Sequence, residues 1–129
     1  MSTDLQAFAK LYTAAWCSQN PASVAAFFSP AGSLKVNDGE PAVGREAITA
    51  VAQEFMRAFP DLEILLDGVS QHGDYSIYRW ILAGTNTGPG GTGARVKISG
   101  HEEWRMGADG LIEESLGHFD SADYQRQLG

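Results

Sequence analysis

Hydrophobic positions recur along this chain first with a helical period and then with a strand period. Leu5, Phe8, Tyr12, Ala15 and Trp16 fall on one helical stripe, which predicts a first helix. Thr3 with Gln6 three residues on fits a capping box at its start. Cys17 falls on the opposite face with Gln6, Lys10 and Thr13, as an uninvolved thiol would. Asn20-Pro21 reads as an N-cap followed by proline at the first helical position, so a short second helix is expected to carry Val24, Phe27 and Phe28 inward. Ser29-Pro30-Ala31-Gly32 ends it, Ser33 to Val36 is a short strand, and Asn37-Asp38-Gly39 a turn. A third helix is expected from Arg45 to Ala58, with Ile48, Val51, Phe55 and Phe59 on one stripe and Pro60 closing it.

Beyond Pro60 the period drops to two. Leu62–Leu66, Tyr75–Ala83, Arg95–Met106 and Leu111–Phe119 read as four strands, joined by turns at Gln71-His72-Gly73-Asp74 and Gly107-Ala108-Asp109-Gly110. Helices followed by consecutive strands, without βαβ alternation, predict an α+β fold with an antiparallel sheet. No boundary, repeat or low-complexity tract divides residues 1–129, so one domain is expected.

Composition narrows the class. The net charge is −7, which argues against nucleic acid and against anionic membrane surfaces, both of which call for basic patches. No apolar run approaches the ~20 residues of a membrane span, and the start carries no signal-peptide pattern. A single cysteine excludes an intrachain disulfide and fits a reducing cytoplasm.

The chemical motifs are sparse. Gly88-Pro89-Gly90-Gly91-Thr92-Gly93 matches a dinucleotide fingerprint letter by letter, but Arg95-Val96-Lys97-Ile98 alternates as a strand where that fingerprint needs a helix. A flexible loop is the expectation, and no cofactor follows. His72, His101 and His118 form no H-x-H or H-x-x-x-H pair, so no metal site is expected. There is no nucleophile elbow, and Lys10 and Lys35 look solvent-facing, which disfavours covalent catalysis. The last strand differs, because Glu114, Leu116, His118 and Asp120 share one face. If that face looks into a pocket, it sets an acid–base pair among apolar walls. The alternative is an exposed strand end where Asp120 caps a short final helix from Ser121 to Gln127. Tyr12, Trp16, Phe28, Phe55, Met56, Phe59, Trp104 and Leu116 supply the bulk of the core and the walls of any cavity.

Five stretches share an order and spacing that resemble the SnoaL-like polyketide cyclase family of the nuclear transport factor 2-like superfamily. They are Gly44-Arg45-Glu46-Ala47-Ile48, Ala58-Phe59-Pro60-Asp61-Leu62, Arg79-Trp80, Gly84-Thr85-Asn86-Thr87-Gly88 and Asp109-Gly110-Leu111-Ile112. The ends Phe119-Asp120 and Gln127-Leu128-Gly129 fit as well. The resemblance implies a cone: a curved antiparallel sheet closed by three helices around a hydrophobic cavity. It implies cofactor-free aldol cyclisation of a polyketide-like or carbonyl-rich molecule, with an aspartate on the last strand, in the position of Asp120, as the acid–base residue. His101 or His118 would be its partner, donating to the enolate. The family's usual Gly-Thr-His-Thr-Gly reads Asn86 here, which removes any proton role at that loop. Epoxide hydrolysis, ketosteroid isomerisation (an Asp-base reaction on the same fold), cofactor-free hydroxylation and non-catalytic carriage of a small molecule stay open. A homodimer through the outer sheet face is expected.

Overall fold

The computed structural model describes residues 2–129, with side chains described from Asp4 onward. Helix α1 spans Ser2–Cys17, so its start precedes the expected cap, and the Thr3 side chain lies outside the described residues. Helix α2, Pro21–Ala25, begins with proline after an extended Asn20, as expected. It is shorter than expected: Phe28 does not ride on it but opens strand β1, Phe28–Val36. A two-residue strand β2, Ala42–Val43, precedes helix α3, Arg45–Ala58, whose buried residues Ile48, Ala52 and Met56 recur every four positions. Four long strands follow: β3 Glu63–His72, β4 Tyr75–Thr85, β5 Arg95–Met106 and β6 Ile112–Phe119. A fourth helix, α4, spans Ser121–Leu128.

The strands form one mixed sheet in the order β2-β1-β6-β5-β4-β3. The expectation of a wholly antiparallel sheet needs one correction, because β1 runs parallel to β6, with Leu34 against Ser115 and Val36 against Gly117. Strand β2, helix α3 and strands β3 to β5 separate β1 from β6 in sequence, a connection long enough for parallel pairing. On β5, Val96, Ile98, Glu102 and Trp104 are buried, so the even-numbered residues face the helices and the odd-numbered ones face outward. A register shift between Arg105 and Met106 lets Ile112 and Ser115 both point inward on β6, followed by Gly117 and Phe119.

Aromatic rings cement the closed end of the fold. Tyr12 lies edge-on to Phe27, Tyr78 and Trp104, with ring centroids 5.2–5.7 Å apart. Edge-to-face pairs of this kind add about 0.5–1.5 kcal/mol each beyond the area they bury. Helix α4 packs differently. The Arg95–Ser99 end of β5 extends past β6, leaving Lys97 without a strand partner on that side. Gln127 fills the gap: the Lys97 amide donates to its Oε1 (2.7 Å) and its Nε2 donates to the Lys97 carbonyl (3.0 Å). One side chain thus imitates a ladder rung and fastens α4 to the sheet.

Candidate functional site

A cavity of about 60 Å³ opens between α1, α3 and the inner sheet face. Every long strand contributes to its wall. Trp16, Phe55, Tyr78, Trp80 and Phe119 supply aromatic surface, and Leu34, Val51, Ile64 and Ile98 aliphatic surface. Gly100 makes room for one of these walls: a Cβ there would lie 2.5 Å from the Trp80 ring, so its absence lets the indole rest flat on β5. Gly117, across from Glu102 in the ladder, leaves the space beside that residue unfilled.

Glu102 is the one ionisable carboxylate in this lining, and it is buried. Its Oε1 accepts from Ser115 Oγ (2.7 Å), Trp104 Nε1 (2.9 Å) and Tyr12 Oη (3.0 Å). Among the described residues its Oε2 accepts only from the Tyr12 hydroxyl, at 3.2 Å, and so keeps most of its acceptor capacity. Burial pushes the Glu102 carboxyl above its ordinary range, against the pull of the three donors, which favour the charged form. The same burial, with the Glu102 charge behind it, lifts the Tyr12 hydroxyl well above its normal value. Tyr12 therefore stays a donor throughout the accessible pH range. Tyr78 is lifted likewise. Its hydroxyl lies 2.6 Å from Thr13 Oγ1, which itself donates to the Ala9 carbonyl, so Tyr78 donates in that pair.

A second polar group lies buried nearby. Trp16 lines the cavity, and its indole N–H has no hydrogen-bond acceptor among the described residues. It lies near enough to Tyr12 to favour ionisation of that hydroxyl, but not in hydrogen-bond geometry. A buried donor without a partner is uncommon in a folded interior.

The residues expected from sequence sort differently. Trp16 and Phe55 line the cavity. Tyr12, Phe28, Met56, Phe59 and Trp104 are buried core behind it, and Tyr12 and Trp104 act on it only through Glu102. Leu116 and His118 share a face as expected, but it is the outer one, since the inward positions of β6 are Ser115, Gly117 and Phe119. His101 stands opposite His118 in the ladder, which puts the two imidazoles on the same face. Asp120 is exposed and caps α4: its Oδ1 accepts from the Asp123 amide at 3.1 Å. The helix-cap alternative thus describes its position, and no cavity wall includes it.

On the outer face, His101 and His118 stack with ring centroids 4.9 Å apart, and His118 Nε2 lies 3.1 Å from Glu103 Oε2. Burial and the neighbouring His118 lower the His101 pKa, which favours the neutral imidazole. The glycine-rich stretch is a loop, as expected. Asn86 organises it, accepting from the Thr92 amide at 2.8 Å and donating to the Ala58 carbonyl at the end of α3.

The family profile described as SnoaL-like polyketide cyclase matches residues 6–128. Among solved structures, TsrD from Streptomyces laurentii superposes with a TM-score of 0.84 at 23% identity, covering 98% of this chain and 96% of its own. A ketosteroid isomerase-like protein from Catenulispora acidiphila, solved with trimethylamine, gives 0.83 at 16% identity, covering 95% and 92%. An NTF2-like protein from Burkholderia pseudomallei gives 0.82 at 17%, covering 99% and 98%. At these identities the likeness establishes the fold. A search of curated proteins found no match. No helix among the described residues is long and apolar enough to cross a membrane.

Proposed function

Because this chain belongs to the SnoaL-like polyketide cyclase family, we propose that it performs cofactor-free acid–base chemistry on a carbonyl-bearing small molecule, with Glu102 as the acid–base group. The observation that carries this reading is a single buried carboxylate in an otherwise apolar cavity, with one oxygen saturated by donors and the other nearly free. Oε2 takes a proton from a carbon flanked by carbonyls. The three donors on Oε1 fix the carboxylate in place, and burial makes it more basic. The developing enolate oxygen needs a preorganised donor, and the unpartnered Trp16 N–H supplies one. The enolate then attacks a second carbonyl of the same molecule, forming the ring bond, and protonated Glu102 returns the proton to the new alkoxide. The aromatic walls hold the reacting conformer.

This reading moves the acid–base role from Asp120 and its histidines to Glu102, because Glu102 lines the cavity and Asp120 caps a helix. The substrate-independent test is carbon acidity. In D2O, a 1,3-diketone such as 2-acetylcyclohexanone should exchange its acidic C–H faster with the protein present, and Glu102→Gln should remove the acceleration.

The cavity's size favours a second reading. About 60 Å³ walled by Trp16, Trp80, Tyr78 and Phe55 around one carboxylate is also a site for a small alkylammonium ion, held by ring faces and a counter-charge. The Catenulispora protein was solved with such an amine. Trimethylamine that binds stoichiometrically, with no acceleration of diketone exchange, would favour amine binding over acid–base chemistry.

A further inference from the structure

We propose that His101, Glu103 and His118 form a binding site for a divalent transition-metal ion on the outer face of the sheet. The argument is positional. Glu103 follows His101 by two residues on β5, so both side chains leave the same face. His118 is the cross-strand partner of His101 on β6, which brings the second imidazole beside the first. One ligating atom from each of the three lies within 4.8 Å of the other two. Donors around a four-coordinate zinc with bonds of about 2 Å stand roughly 3.3 Å apart, so small rotamer changes close the set. His118 Nε2 and Glu103 Oε2 are already 3.1 Å apart.

Two imidazoles and a carboxylate suit zinc, nickel or cobalt, and poorly suit calcium or magnesium, which prefer oxygen alone. The site is half-exposed, so the ion loses only part of its hydration and keeps coordination positions open to water. Both histidines also border a polar depression with Asn37, Asp38, Ser99 and Ser121, where a ligand of the metal would sit. Arg79 opposes a cation here, since it is paired with His101 across the ladder, although its guanidinium reaches away toward Ser70 Oγ (3.4 Å). Glu103 is the charge that offsets it.

Tag-free protein titrated with zinc chloride against a chromophoric chelator should bind one equivalent. Affinity should fall at least about tenfold in His101→Ala, His118→Ala and Glu103→Gln, since losing a ligand costs no less than losing a partner that merely orients one. His72→Ala should bind as the parent does, because His72 lies elsewhere, hydrogen-bonded to Ser70. Cobalt added to the unmodified protein should broaden the amide resonances of residues 101, 103 and 118, a readout that needs no variant to fold. Binding well below one equivalent, parental affinity in the three variants, or broadening centred away from these strands would overturn the proposal.

Discussion

Two substitutions at Glu102 separate its chemistry from its structural role. Glu102→Gln keeps the shape and leaves one acceptor oxygen for Ser115, Trp104 and Tyr12, but it removes the titrating group. Glu102→Leu strands all three donors in the interior. Each unsatisfied buried donor costs about 1–3 kcal/mol, so the total of about 3–9 kcal/mol rivals the 5–15 kcal/mol that holds a typical domain folded. The Gln variant should therefore fold and the Leu variant should be severely destabilised. The stability of the Gln variant relative to the parent depends on pH. Burial raises the carboxyl pKa in the folded state above the unfolded value of 4.5. The folded protein then binds the proton more tightly, and the stability gained that way is complete below pH 4.5 and lost as pH rises through the folded value. Glu102→Gln removes this loss, so its melting temperature relative to the parent should climb as pH rises through that window. Its rate of diketone deuteration should fall by about 100-fold or more. Thermal melts at several pH values and deuteration followed by proton NMR check both points. Near-parental deuteration in a folded Glu102→Gln variant would refute the reasoning.

Other consequences are testable in the same assays. Asp120→Asn should leave deuteration within a few-fold of the parent and cost little stability, because Asn also caps helices, whereas Asp120→Ala should cost about 1 kcal/mol in denaturant unfolding. Trp16→Phe keeps the aromatic wall but removes the free N–H, and should slow deuteration by about 100-fold while 2-acetylcyclohexanone binding, measured by NMR titration, changes less. Treatment with a chelator should leave deuteration unchanged, because the outer His-Glu-His set faces away from Glu102. Light scattering at micromolar concentration should give twice the 13.8 kDa chain mass, from pairing through the outer face of β5 and β6, and a persistent monomer would exclude that dimer.

Much of the fold was legible because local and global signals agree. The limits of α3 and β5 follow directly from their hydrophobic periods and from Pro60 and the Gly107 turn. The start of β1 was not, because Phe27 and Phe28 continue a helical stripe and only tertiary pairing with Ile112 pulls Phe28 into the sheet. The parallel β1–β6 pair leaves no mark in either strand's own pattern. The inward face of β6 was misread for a definite reason. On β6 the inward residues are Ser115 and Gly117 while the larger apolar Leu116 points outward, so hydrophobicity selects the wrong face. The better signal lay on β5, where Glu102 shares its parity with Val96, Ile98 and Trp104. A lone glutamate in an apolar register is what a buried functional carboxylate leaves in a sequence. The proximity of His101 and His118 could not be read from spacing, since it depends on a ladder register that the hairpin bulge displaces.

The central claim is that Glu102 is the group that meets the substrate, and a crystal structure with 2-acetylcyclohexanone bound tests it most directly. The account predicts the diketone in the cavity, its acidic carbon about 3–3.5 Å from Glu102 Oε2 and a carbonyl oxygen in hydrogen-bond range of Trp16 Nε1. A diketone seated instead against His118 and Asp120, with the cavity beside Glu102 empty, would contradict it.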